Sequence, residues 1–110
     1  STALQAAASY GEHAVVKILL ESGADVHAQS PAGSTALGFA ARSGCELSVK
    51  LLLQYEGLGT PTDTDGRNAL HIAAMCGHEH IVGVLLRHGF DDRARNKHGY
   101  TAHDLAWTNG

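Results

Sequence analysis

The chain repeats itself every 33 residues over its whole length, and the copies align without a gap. The recurring elements are a Thr-Ala-Leu-like triplet, an alanine pair, a glycine and a leucine pair: Thr2-Ala3-Leu4, Thr35-Ala36-Leu37 and Asn68-Ala69-Leu70; Ala7-Ala8, Ala40-Ala41 and Ala73-Ala74; Gly11, Gly44 and Gly77; Leu19-Leu20, Leu52-Leu53 and Leu85-Leu86. A period of this length is typical of stacked supersecondary units, because one such unit cannot bury its apolar face alone.

Each unit is predicted to contain two short helices. In the third copy the first helix spans Asn68 to Cys76, and the second runs from about His78 to His88. A glycine follows each helix, and glycine adopts the left-handed conformation of a helix end without steric penalty. The apolar residues of the second helix form a wide stripe with helical spacing: Ile81, Val82, Val84, Leu85 and Leu86.

The small and large apolar residues have different predicted packing roles. The alanine pairs Ala40-Ala41 and Ala73-Ala74 allow neighbouring first helices to approach closely, so a larger side chain there should cost about 1–3 kcal/mol. Leu53 and Leu86 are predicted core residues, and truncation of either to alanine should leave a cavity that costs about 2–5 kcal/mol.

Two segments resemble the ankyrin-repeat signature. They are Asp-Gly-Arg-Asn-Ala-Leu-His-Ile-Ala-Ala at 65–74, followed by Gly77-His78, and Leu-Leu-Glu-Ser-Gly-Ala-Asp-Val-His-Ala at 19–28. The resemblance implies an all-α fold, an ankyrin-repeat α-solenoid of helix-turn-helix units with projecting β-hairpin loops. First helices would line a concave side and second helices a convex side.

The expected domain organisation is a single ankyrin-repeat domain over residues 1–110. Its units would be about 1–29 (partial), 30–62, 63–95 and 96–110 (partial). Solenoids normally carry polar caps at both ends, and no polar cap is evident at the start. The chain is therefore expected to be a fragment of a longer array, and a monomer as an isolated fragment.

Ankyrin-type resemblance implies a non-enzymatic protein–protein interaction module that binds through its concave face and loop tips. Aromatic residues and arginine dominate interface hot spots. The expected partner-binding residues are Tyr10, Arg42, Arg67, Met75, Arg95, Lys97 and Tyr100. One alternative is a spacer or regulatory repeat segment of a larger multidomain signalling or sensor protein. Another, by family analogy, is side-chain modification around Asp25-Val26-His27.

The residue that follows the Thr-Ala-Leu-like triplet differs from unit to unit. His71 occupies the position of the family's histidine, which caps the first helix and ties the turn, whereas Gln5, Gly38 and Asp104 stand there in the other units. Gly38 should weaken its helix by up to about 1 kcal/mol relative to alanine. Asn68 replaces the usual threonine and can still cap a helix start.

Eight histidines raise a metal-binding alternative, centred on His78-Glu79-His80. Two histidines four apart on one helix face would fit a known zinc pattern, but these two are two apart and would point to different faces. Ordinary surface histidines are the favoured interpretation. Neither Cys45 nor Cys76 has a marked base beside it, although Cys76 should be accessible if it lies on the concave face. No catalytic residue and no cofactor is expected.

Composition and charge argue against several other classes of protein. A net charge of −3 argues against nucleic-acid binding, and the basic stretch around Arg93 to His98 is more typical of a solvated loop. Apolar runs are far shorter than the roughly 20 residues of a membrane helix, so no membrane insertion is expected. Two cysteines do not form a disulfide framework, which indicates an intracellular protein, cytoplasmic or nuclear.

Overall fold

The computed structural model describes residues 3–31, 33–56, 68–91, 93–101 and 104. These ranges hold three helix pairs. The first pair is α1 (Ala3–Ser9) and α2 (His13–Glu21), the second is α3 (Ala36–Ser43) and α4 (Glu46–Glu56), and the third is α5 (Ala69–Met75) and α6 (Glu79–Arg87). The two helices predicted in the third unit are confirmed to within one residue at each end.

The helices stack in two rows. α1 packs on α3 and α3 on α5, while α2 packs on α4 and α4 on α6, and each first helix also contacts the second helix of its own pair. Within the described ranges each helix therefore makes its main contacts with its neighbours in the same row and with its partner helix, which is the arrangement of a solenoid. The predicted all-α repeat fold is confirmed for the described residues.

The core runs through the stack of described helices, and most of its positions recur from unit to unit. Residues of the alanine pairs and of the second-helix stripes are almost completely buried: Ala8, Ala40, Ala41, Ala73, Val16, Val49, Ile81, Leu52 and Leu85. Because alanine has no side chain beyond Cβ, adjacent first helices can approach each other closely. The predicted packing role of the alanine pairs is thus consistent with their burial.

Leu86 is a correction to the predicted core. It is 40% exposed, whereas Leu53, one period earlier, is 5% exposed. The second helices α2 and α4 each have a following second helix packed on them, and α6 is the last second helix within the described ranges. The same residue type at the same repeat position is therefore buried in one unit and half-exposed in the next.

His71 and Asn68 close the start of α5 in the manner predicted. The Asn68 side chain accepts from the His71 N–H at 3.0 Å, and the Asn68 N–H donates to His71 Nδ1 at 3.1 Å. The other ring nitrogen, Nε2, donates to Ala94 O at 2.8 Å. Gln5 substitutes for part of this role in the first unit, since its Nε2 donates to Ala28 O at 2.8 Å.

In the two remaining units the position of His71 is occupied by Asp104 and by Gly38. Thr101 and Asp104 form a reciprocal cap, in which the Thr101 N–H donates to Asp104 Oδ2 at 3.0 Å and the Asp104 N–H donates to Thr101 Oγ1 at 3.2 Å. Thr35 makes no side-chain cap hydrogen bond in the described structure. Gly38 is buried, and a β-carbon on it would lie 3.3 Å from Ile72 Cδ1. Gly38 therefore allows close packing between α3 and α5.

Two described loops turn back on themselves where the resemblance implies β-hairpins. In the earlier loop the Ser30 N–H donates to Ser34 O, and the Gly33 N–H donates to Ser30 O, both at 2.8 Å. Two periods later the Asn96 N–H donates to Tyr100 O, also at 2.8 Å. The pairing does not extend into a strand in either loop or elsewhere in the described residues. These hairpins are therefore tight turns without paired β-strands.

Ser48 is an irregularity in the core and gives a first testable prediction. It is completely buried, at the position of Val15 and Ile81 in the other units, and its hydroxyl has no hydrogen-bond partner in the part of the chain described. A buried unsatisfied polar group costs about 1–3 kcal/mol, so Ser48→Ala should raise the free energy of unfolding by that order. Urea denaturation measures the change, and a loss of stability would show that the hydroxyl is bonded after all.

Candidate protein-binding surface

The carboxyl ends of the three first helices form one row of exposed side chains. α1, α3 and α5 end just before Gly11, Gly44 and Gly77, all of which have positive φ. Because the three helices pack side by side, the residues in or just after the last turn of each helix lie next to one another. The set that we call the first-helix row consists of Tyr10, Arg42, Ser43, Met75 and Cys76.

The first-helix row is exposed and chemically mixed. Tyr10 is 81% exposed, although a tyrosine carries a large apolar ring that core packing normally covers. Arg42 is exposed, and Met75 is half-buried. Cys76 is exposed as predicted, and it is the neighbour of Met75 in the row. An aromatic ring, a guanidinium and a thioether thus lie on adjacent helix ends.

Arg95, Lys97 and Tyr100 form a second group, which we call the loop cluster. All three are exposed on the turn that the Asn96 to Tyr100 hydrogen bonds close. The Asn96 side chain accepts from the backbone N–H of Tyr100 at 3.0 Å, which fixes the turn. Arg95 is also structural, because its Nη1 donates to Gly99 O at 2.7 Å. Its guanidinium is therefore held against the backbone of the turn.

The structure does not bring all the predicted residues together. The loop cluster is attached to the amino end of α5 through the bond between His71 and Ala94, whereas Met75 ends the same helix. Since α5 has 7 residues, its two ends are about 10 Å apart. The predicted residues thus divide into two groups, and Arg67 lies outside the described residues.

His78 and His80 correct the argument from helical spacing. His78 is the N-cap residue of α6, with φ −89° and ψ 76°, so it is not in the helix. Both rings point to the end of α3: His78 Nε2 donates to Arg42 O at 2.9 Å, and His80 Nε2 donates to Gly44 O at 3.2 Å. The ring centroids are 6.1 Å apart. The pair therefore connects the third unit to the second.

No group of three histidine, cysteine or carboxylate side chains is placed to hold a metal ion within the described ranges. The interaction of the histidine pair with backbone carbonyls was not visible in the sequence, because it depends on where the previous helix ends. A comparable contact occurs one unit earlier, where Cys45 Sγ lies 3.6 Å from Gly11 O. Cys45 and His78 occupy the same repeat position.

Gly44 gives a prediction about this junction. It has φ +78°, and a β-carbon on it would lie 2.8–3.0 Å from three atoms of the His78 ring. Gly77 has φ +75° with nothing within 4 Å of the same site, so it is a matched control. Gly77→Ala should cost only the left-handed backbone penalty of about 1–2 kcal/mol. Gly44→Ala should cost about 1 kcal/mol more, because the His78 hydrogen bond must break.

Urea denaturation of both variants, repeated on a His78→Ala background, separates the two causes. On that background the two glycine substitutions should cost the same. If Gly44→Ala still lowers the free energy of unfolding more than Gly77→Ala on the His78→Ala background, a clash with the His78 ring is not the cause.

An ion pair between Lys50 and Glu46 lies at the start of α4. Lys50 Nζ is 3.0 Å from Glu46 Oε2, one turn along α4. The hydrogen bond and charge of Lys50 lower the pKa of the Glu46 carboxyl, and His80 and Arg87 lower it further. Because both side chains of the pair are substantially open to solvent, the pair is expected to add little to stability.

The paired short helices, stacked in two rows, define a helical repeat protein. The ankyrin-repeat family profile matches residues 1–60 and 57–110, with three copies of the repeat. The chain therefore belongs to the ankyrin-repeat family, whose members are generally protein–protein interaction modules and are typically non-enzymatic. A comparison with curated proteins finds no match. None of the helices in the described ranges has the length and hydrophobicity needed to cross a membrane.

Proposed function

We propose that this protein is a non-enzymatic recognition module that binds a protein partner through the first-helix row, with the loop cluster as a second contact. The observation that carries the proposal is the first-helix row itself. Tyr10, Arg42 and Met75 stand on three adjacent helix ends and make little or no contribution to the core.

The chemistry of the first-helix row suits a protein partner. Tyrosine and arginine are the residue types most enriched at interface hot spots, and methionine adapts its shape to irregular apolar surfaces. The stack beneath the row is closely packed, because Ala40, Ala41 and Ala73 are fully buried between the helices. A preformed surface reduces the ordering cost of association, so more of the contact energy appears as affinity.

Affinity capture from a cell lysate with matched variants tests the proposal. Tyr10→Ala/Arg42→Glu changes the first-helix row, and Tyr55→Ala/Lys17→Glu makes the same kinds of change on the second helices α4 and α2. All four side chains are exposed, so neither variant should unfold the stack, which circular dichroism checks.

The proposal expects a protein that is retained by the parent chain and the second-helix variant but lost with the first-helix variant. Loss with only the second-helix variant would reject the assignment of the face. No specific retention by any of the three would instead favour the spacer or regulatory segment.

The loop cluster is tested separately. Lys97→Glu/Tyr100→Ala leaves the Arg95 to Gly99 bond in place, so the turn should remain closed. If the partner spans both groups, this variant should weaken binding of the captured protein without abolishing it, because hot-spot contributions concentrate in a few residues. Unchanged affinity, measured by calorimetry, would limit the interface to the first-helix row.

A further inference from the structure

Two of the described turns are closed by the same kind of side-chain hydrogen bond, although they lie two repeat periods apart. Gln29 Nε2 donates to Gly33 O at 3.1 Å, and Arg95 Nη1 donates to Gly99 O at 2.7 Å. Gln29 and Arg95 occupy the same repeat position. Because a neutral amide closes the earlier turn, the positive charge of Arg95 is not needed to close the later one.

The aspartates of the two turns also have a common role. Asp25 Oδ1 accepts from the His27 N–H, and Asp91 Oδ1 accepts from the Arg93 N–H, both at 2.9 Å. The bond to Arg93 is made by its backbone and not by its guanidinium. Asp92, the other aspartate of the later turn, lies outside the described residues. The carboxylate of Asp91 is therefore a part of the turn that both copies share.

The two turns differ in charge. Residues 91–98 contain Arg93, Arg95 and Lys97 against two aspartates, a local charge of +1. Residues 25–32 contain one aspartate and no lysine or arginine, a local charge of −1. None of the three cations forms an ion pair with a carboxylate of a described residue, as Lys50 does. The later turn is thus a positive site on a chain whose net charge is −3.

The exposure of these cations belongs to their position in the turn. Arg95 and Lys97 are exposed, and so are their counterparts Gln29 and Pro31, although two further helix pairs follow the earlier turn. The exposure is therefore not an effect of a missing neighbouring unit. Composition alone favours a solvated loop, and the comparison of the two turns adds that the fold can build this loop without the cations.

We infer that Arg93, Arg95 and Lys97 bind an acidic segment of the protein partner, rich in aspartate or glutamate. The inference rests on the proposed function, because it states the chemistry that the partner presents to the loop cluster. A guanidinium has five N–H donors, and the bond to Gly99 O uses one of them, so Arg95 retains donors for a carboxylate. The net charge of −3 repels a long polyanion, so a short acidic segment suits the site better than nucleic acid does.

A fluorescently labelled deca-glutamate peptide is the probe, and fluorescence anisotropy at low ionic strength measures its affinity for the whole chain. Arg95→Gln/Lys97→Gln removes two charges and keeps a donor for Gly99 O, as Gln29 does in the earlier turn. This variant should bind the peptide about tenfold more weakly, because two charged contacts are lost. Lys17→Gln/Lys50→Gln removes the same charge from the second helices and should weaken binding about twofold or less.

Equal weakening by the two double variants would overturn the inference, since the peptide would then respond to net charge alone. No measurable binding of the peptide by the parent chain would also overturn it. A decathymidine strand that binds more tightly than the peptide, and that loses affinity with Arg95→Gln/Lys97→Gln, would overturn it in favour of nucleic acid. Hydrogen exchange of the Tyr100 amide, which donates to Asn96 Oδ1, checks that the variant turn stays closed.

The peptide measurement and the lysate capture can fail separately. The peptide experiment does not use the captured protein, so a negative result there leaves the first-helix row as the proposed binding surface. If no protein is captured from the lysate but the peptide still binds through Arg95 and Lys97, the proposed function fails at the first-helix row and the acidic-segment site stands.

Discussion

Replacing Leu53 with alanine should lower the free energy of unfolding by about 2–5 kcal/mol, because it removes a buried side chain and leaves a cavity. Leu53 is 5% exposed and lies on α4, between α2 and α6. The same replacement at Leu86, which is 40% exposed, should cost less than about 1 kcal/mol. The two leucines occupy the same repeat position, and each directly follows another buried leucine, Leu52 or Leu85.

Urea denaturation followed by circular dichroism measures both costs, with the slope of the transition as a check that the unfolded states are comparable. Leu47→Ala on the exposed side of α4 controls for the loss of helix propensity. Equal costs at Leu53 and Leu86 would contradict the two-row stack as described, since the difference depends on the presence of a following second helix.

Replacing His71 with alanine should cost about 2–4 kcal/mol, because it removes a buried ring and two hydrogen bonds at once. The lost bonds are those from the Asn68 N–H to Nδ1 and from Nε2 to Ala94 O. The ring is almost completely buried, so water cannot replace these partners. His71→Gln should cost about half as much, since the Gln5 amide donates to Ala28 O from the equivalent position.

Thermal and urea unfolding of the two His71 variants, with Gln5→Ala for comparison, measure these costs. A glutamine variant as unstable as the alanine variant would show that the tie to Ala94 contributes nothing. Hydrogen exchange in the Arg95 to Tyr100 turn should increase in His71→Ala, because the loop would lose its attachment to α5.

The repeat and the helices could be predicted from sequence for physical reasons. Short helices with a glycine just beyond them leave a strong signal, and Gly11, Gly44 and Gly77 indeed have positive φ. The alanine pairs stand out because few other environments need two small residues at a fixed period. The role of His71 followed from the family resemblance, and its hydrogen bonds confirm it.

Other features depend on how a unit packs against the next unit, which the sequence of one repeat does not reveal. Leu86 occupies the same repeat position as Leu53. It is more exposed because no further second helix packs on α6 within the described ranges. His78 and His80 meet at the end of α3 because the first has non-helical backbone angles, which residue spacing does not reveal.

The predicted binding residues were only partly located together. Tyr10, Arg42 and Met75 share one row because first helices stack side by side, which follows from the period. The separation of Arg95, Lys97 and Tyr100 from that row depends on where the loop attaches to α5. Residue type alone predicted which side chains suit an interface, but it did not predict how those residues are grouped in space.

The most direct test of the proposed recognition surface uses the cysteines already present. Cys76 is exposed within the first-helix row, whereas Cys45 is half-buried beneath Gly11 and serves as an internal reference. The rate of alkylation of each thiol is measured by mass spectrometry with and without a saturating amount of the captured protein. A partner on the first-helix row should slow alkylation of Cys76 and leave that of Cys45 nearly unchanged. Unchanged alkylation of Cys76 in the bound complex would contradict the account.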